Sequence, residues 1–127
     1  MTTPNPLAKL AANIPDASRR KYVIAGIEVD VYGIDELRSN TRDVACLWLL
    51  NPRLGNRHRM TPIANAVIER ASRTTYQTGI IVAAFDQRNH GSREIDAVAN
   101  KAWREGNPRH AQDMFGIFRM EQIRDRK

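Results

Sequence analysis

The polar segment Asp86–Arg93 carries residue types that could support chemistry: an aspartate, two arginines, a histidine and a serine within eight positions. It directly follows Ile80–Phe85, an uninterrupted apolar run that is typical of a strand buried on both faces. Polar side chains that follow such a strand lie at its carboxyl end, where open α/β sheets place their sites. This segment is therefore the first candidate for a functional site.

Asp86, His90 and Ser92 are the residue types of a catalytic triad, but their spacing does not favour one. A triad needs a histidine that contacts both the serine and an orienting carboxylate. His90 and Ser92 lie two residues apart in one loop, which is a poor arrangement for proton transfer between them. The local sequence therefore predicts no catalytic residue in this segment.

A second apolar run, Asp43–Leu50, lies upstream and also predicts a strand buried on both faces, ending at the loop Asn51–Asn56. Between the two strands, Thr61 and Pro62 are typical of a helix N-cap and first helical position. A strand, a helix and a second strand in this order predict a right-handed crossover with parallel strands. The helix residues expected on one apolar face are Ile63, Ala66, Val67 and Ala71.

Two short stretches near the amino terminus predict an antiparallel pair. Apolar and polar residues alternate along Ile27–Tyr32, the pattern of a half-exposed strand, and Gly26 could form the turn from Tyr22–Ala25. Towards the other end, 92–109 is polar and contains a Gly-Asn-Pro turn, and an amphipathic helix is expected over Ala111–Ile123. We expect an amino-terminal arm over 1–21 and one domain over 22–127.

Metal and cofactor sites are not predicted. The three histidines, His58, His90 and His110, are far apart in the sequence, and the single cysteine, Cys46, lies inside an apolar run. We expect Cys46 to be buried, because free cysteines behave as small apolar residues. No glycine-rich nucleotide motif is present, so we expect no cofactor.

Together, these segments resemble the α/β-hydrolase family, and in particular a fungal-type branch of it. Asp86, Arg88, His90 and Gly91 match an Asp-x-Arg-x-His-Gly-x-Ser motif that follows an early parallel strand in that family, with Ser92 one residue early. Trp103–Phe115 is similar to a loop leading into the next helix. The resemblance covers about 22–118 and implies an α/β fold: a partial hydrolase sheet, with an antiparallel edge pair plus parallel strands and crossover helices.

The resemblance implies hydrolysis of an ester, thioester or amide by the intact architecture. The loop after the first central strand would supply an oxyanion N–H from Arg53 or Leu54, since Pro52 has none. Asp86 and Arg88 would hold neighbouring loops through charged hydrogen bonds. The family's G-x-S-x-G elbow is absent, so we expect an amino-terminal portion that is truncated before its nucleophile and inactive alone.

Two alternatives remain open from the sequence: a non-catalytic remnant and a small basic binding module. The net charge of +6 suggests a nucleic-acid partner, but the basic residues are scattered and no aromatic residues interleave with them. We therefore expect no nucleic-acid partner, and we expect no membrane partner. A small ester-like substrate is expected only in the intact family. The exposed apolar part of the sheet predicts self-association. The amino terminus has no secretory signal, so a cytoplasmic location is expected.

Overall fold

A computed structural model describes residues 13–74 and 78–118, with side chains described up to 115. Within these residues, four strands form one mixed sheet, and two α-helices are present as well. The fold is therefore of the mixed α/β kind expected from the sequence. The strands are β1 (Arg19–Ile24), β2 (Ile27–Tyr32), β3 (Asp43–Leu50) and β4 (Thr78–Phe85), and the helices are α1 (Thr61–Ser72) and α2 (His110–Phe118).

Strands β1 and β2 form the antiparallel hairpin that the sequence predicted, with Ile24 opposite Ile27. Its two-residue turn consists of Ala25 and Gly26, both with positive φ (50° and 78°). Two successive left-handed residues are typical of a type I′ turn, whose twist matches that of the flanking strands. β1 begins at Arg19, inside the arm expected over 1–21.

β2 is an interior strand, and the expectation that it is half exposed is wrong. The sheet order is β1-β2-β4-β3, so β2 is hydrogen-bonded to antiparallel neighbours on both sides. Asp30 and Tyr32, which the alternating pattern placed on a solvent face, are 3% and 1% exposed. The Tyr32 hydroxyl is 2.8 Å from the hydroxyl of Thr61, which satisfies both groups.

β3, α1 and β4 form the predicted crossover, and β3 pairs with β4 in parallel. The register runs from Asp43 opposite Thr78 to Leu50 opposite Phe85, so the two strands end at the same level. The residues that follow them, Asn51 and Asp86, consequently emerge side by side at one edge of the sheet.

β3 has the predicted bounds, but it is not buried on both faces. It is the last strand of the sheet, and seven of its eight residues are exposed. Cys46 is exposed as well, contrary to expectation, because no described element covers that face of β3. Partial burial nevertheless raises the pKa of the Cys46 thiol above its ordinary value.

Two small apolar clusters cover the two faces of the central strands. Helix α1 packs on one face through Ala64 and Ile68, against Val82 and Ala84 of β4. The predicted apolar face of α1 is confirmed in part: Ile63 and Val67 pack against this cluster, and together with Ala66 and Ala71 they also border a groove beside β3. The helix begins at Thr61, one residue earlier than predicted, so that Met60 and not Thr61 is its N-cap. The second cluster contains Val29, Val31 and Ala83.

The segment after β4 is irregular and contains three short 3-10 turns before α2. Helix α2 begins at His110, one residue before the predicted start, and the end of the predicted helix, after 118, lies outside the described residues. Neither α1 nor α2, nor any other helix in the described ranges, has the length and apolarity needed to span a membrane.

Candidate functional site

The loops that follow β3 and β4 are joined by the side chain of Asn51, which is 2% exposed. Its Oδ1 accepts from the backbone N–H of Gln87 at 3.1 Å, and the Gln87 side chain donates to the Asn51 carbonyl at 2.6 Å. The Asn51 amide group donates back to the carbonyls of Pro52 and Gly55. Asn51 therefore fixes the carboxyl ends of both strands to each other.

Asp86 is the most heavily bonded side chain at this edge and is 1% exposed. Its Oδ1 accepts from the backbone N–H of Arg57 at 2.7 Å. Its Oδ2 accepts from the Arg57 guanidinium at 2.6 Å, and from the N–H and the hydroxyl of Ser92 at 3.0 and 2.8 Å. Gly91 lies directly against this carboxylate with a φ of +51°, and a Cβ there would overlap it.

Arg57 connects three carboxylates from two parts of the sheet, although it is only 6% exposed. Besides Asp86, its Nε lies 3.1 Å from Asp30 and its Nη2 lies 2.7 Å from Glu28, both on β2. The backbone of Arg57 lies in the short 3-10 helix before α1. One guanidinium therefore ties β2, the entry to α1 and the loop after β4 into one network. We call Glu28, Asp30, Arg57, Asp86 and Ser92 the Arg57 cluster.

The electrostatics of the Arg57 cluster favour the charged forms of Asp86, Arg57 and Glu28. Burial alone would raise the pKa of Asp86, but hydrogen bonds from Arg57 and Ser92 hold this pKa below its ordinary value. Burial likewise opposes the charge on Arg57, yet Asp86 and Asp30 keep the Arg57 pKa raised. The pKa of Glu28 is lowered, first by its hydrogen bond with Lys21 and then by Arg57.

Ser92 has the wrong partners for a nucleophile. Its hydroxyl donates to Asp86 and accepts from the Arg57 guanidinium at 3.2 Å. A nucleophilic serine needs a base that can take its proton, and a carboxylate with a lowered pKa is a weak one. The cluster is therefore built to fix loops by charged hydrogen bonds, and it does not activate the serine hydroxyl.

His90 and Arg88 follow Asp86 in the same loop but differ in burial. His90 is 2% exposed, and its Nδ1 donates to the Arg88 carbonyl at 2.9 Å. Its Nε2 has no hydrogen-bond partner within the described residues. The Arg88 side chain is exposed, whereas the guanidinium that binds Asp86 belongs to Arg57. Of the residues that match the motif, Asp86 and His90 are therefore buried, whereas Arg88 and Gly91 are exposed.

The two oxyanion-loop candidates lie in a tight turn after β3. The N–H of Gly55 donates to the Pro52 carbonyl at 2.9 Å, and Leu54 has a left-handed φ of 62°. The Arg53 side chain donates to the Asn100 carbonyl at 3.3 Å, and Leu54 is 56% exposed. Arg53 thereby links this turn to the segment after β4.

Asparagine side chains organise the segment between β4 and α2. Asn89, with φ of 59°, accepts from the backbone N–H groups of Ile95 and Asp96 at 2.8 Å. Asn107 is 2% exposed, and its amide donates to the carbonyls of two residues and to the Asp113 carboxylate. In this irregular segment, the asparagine side chains form the hydrogen bonds that backbone groups would otherwise form with each other in helices or strands.

In the described part of the chain, no group of three or more His, Cys, Asp or Glu side chains is gathered that could hold a metal ion. Comparison of the chain with protein-family models, with curated proteins and with solved structures gives no match.

Sequence reasoning missed Arg57, Glu28 and Asp30 as members of this site. Arg57 stands between other cations in a polar loop, and Glu28 and Asp30 have the spacing of solvent-facing strand residues. The sequence contained one signal: two acidic residues, Glu28 and Asp30, on one predicted strand and a third, Asp86, directly after another. These three carboxylates come together at Arg57 only because β2 lies beside β4, which the sequence pattern does not show.

Proposed function

We propose that this chain is the amino-terminal portion of an α/β-hydrolase sheet and that it does not hydrolyse esters by itself. The arrangement of the strands supports the proposal. An antiparallel pair precedes a parallel strand-helix-strand unit, as the resemblance implies. The loops after β3 and β4 lie together at the carboxyl edge, where the intact family would bind an ester, thioester or amide.

The hydrogen bonds of the serine hydroxyls are the observation that carries the proposal that the chain does not hydrolyse esters by itself. Three of the four serine hydroxyls, those of Ser18, Ser72 and Ser92, donate to Glu36, to the Glu69 carbonyl and to Asp86, respectively. None of these acceptors is an imidazole that could act as a general base. The polar residues of the carboxyl edge accordingly serve to position loops.

A serine-reactive fluorophosphonate probe tests the absence of an activated nucleophile. We expect no labelling of the folded chain, and equal background hydrolysis of p-nitrophenyl acetate by the wild-type chain and by Ser92→Ala. A serine hydrolase treated in parallel gives the positive control. Labelling that disappears in Ser92→Ala, with folding unchanged, would make the Arg57 cluster an active site and refute the proposal.

The relationship to the hydrolases has a separate test in the transcript downstream of the Lys127 codon. We expect a reading frame that continues with an apolar strand and a G-x-S-x-G segment. A frame that continues without such a segment would contradict the family assignment, whatever the result of the labelling experiment.

A further inference from the structure

The two edges of the sheet differ in how they are protected. β1 begins with Arg19, Arg20 and Lys21, and charged side chains of this kind prevent pairing between sheet edges. β3, in contrast, carries no charged residue over 44–50, and no described strand pairs with its outer edge. The backbone groups along β3 are therefore available to a further strand.

Both faces of β3 are also apolar. Val44, Trp48 and Leu50 lie on the face away from α1 and are 49%, 54% and 54% exposed. On the opposite face, Ala45 borders a groove of about 630 Å³ between the sheet and α1. Contiguous exposed apolar surface marks interaction sites. A strand that pairs with β3 must itself be apolar on both faces.

β3 itself is such a strand, and its side-chain sizes match it to a second copy. Its first half carries small residues and its second half carries large ones. Antiparallel pairing about the central residue therefore sets each small side chain opposite a large one on the same face. The pairs are Val44 with Leu50, Ala45 with Leu49, Cys46 with Trp48, and Leu47 with itself.

We propose that two copies of this chain form a two-fold dimer by antiparallel pairing of their β3 strands, centred on Leu47. In this register Asp43 lies opposite Asn51, at the polar end of the strand. If the pairing were centred on Cys46 instead, the charged Asp43 would lie opposite the apolar Leu49, and apolar side chains would no longer all lie opposite one another. A two-fold contact between identical edges closes on itself and yields a continuous eight-stranded sheet. The pairing rests on β3 alone and is independent of the proposed relationship to hydrolases.

Sedimentation equilibrium of the wild-type chain and two lysine variants tests the interface. Val44→Lys introduces a charge on β3, whereas Val23→Lys makes the same change on β1, where Val23 is 67% exposed. We expect a dimer for the wild type and for Val23→Lys, and a monomer for Val44→Lys. A wild-type monomer at every concentration would overturn the proposal. Open-ended aggregates, or equal effects of the two lysines, would overturn it as well.

The register has its own test, because the chain contains one cysteine. Directly opposite side chains have Cβ atoms about 4.5–5.5 Å apart, whereas diagonal neighbours are about 7–8 Å apart. We expect a Cys46→Ala/Leu47→Cys chain to form a disulfide-linked dimer under mild oxidation several times faster than the wild type, whose Cys46 residues lie diagonally. Equal rates, or faster linkage through Cys46, would refute the pairing centred on Leu47.

Discussion

Replacement of Arg57 by methionine tests whether the Arg57 cluster holds the fold together. The change keeps most of the side-chain volume but removes the guanidinium that contacts Glu28, Asp30 and Asp86. Asp30 and Asp86 are 3% and 1% exposed, so they would remain as buried charges without their main partner. Removal of one partner from a buried ion pair costs about 3–5 kcal/mol. Because whole domains are stable by only about 5–15 kcal/mol, we expect a severely destabilised protein.

Urea denaturation followed by tryptophan fluorescence measures this cost as a change in the free energy of unfolding. Arg59→Met is the matched control, since Arg59 lies two residues away and its side chain is exposed. Its effect should stay within about 0.5 kcal/mol. The slope of the denaturation curve should be the same in all three proteins, because the surface exposed on unfolding does not change.

The pH dependence of the Arg57→Met penalty separates electrostatics from lost packing. Without Arg57, the buried carboxylates can avoid their uncompensated charge by taking up protons, so the penalty should shrink as the pH falls towards about 4. A penalty that stays constant with pH would point to packing. A penalty equal to that of Arg59→Met would refute the role assigned to the cluster.

Two further predictions concern the same network. Gly91→Ala should lower the free energy of unfolding more than Gly106→Ala does. Both glycines have a positive φ, and a side chain in that conformation costs about 1–3 kcal/mol. At position 91, but not at position 106, the added Cβ would also overlap Asp86. Equal losses of unfolding free energy would contradict this. Asp86 has a lowered pKa in the folded state, so its contribution is present above its unfolded pKa of about 3.9 and is lost as the pH falls through the folded value. The urea midpoint of the wild-type protein should therefore fall as the pH is lowered, and the fall should be smaller for Asp86→Asn. An equal fall in the two proteins would show that Asp86 does not contribute.

The sequence predicted those parts of the fold that depend on short-range pattern. The bounds of β3 follow from one uninterrupted apolar run, and β4 contains the predicted run Ile80–Phe85. The hairpin follows from a glycine between two strand-like stretches, and the parallel crossover follows from a helix between two strands. Each of these signals lies within a few residues of the structure that it specifies.

What only the tertiary structure decided is which strands are neighbours. Placement of β2 between β1 and β4 buries Asp30, which its alternating pattern assigned to solvent, and brings it to Arg57. Placement of β3 at the edge exposes Cys46, which its apolar run assigned to the core. Burial depends on what lies beside a strand, and a local sequence pattern carries no information about that neighbour.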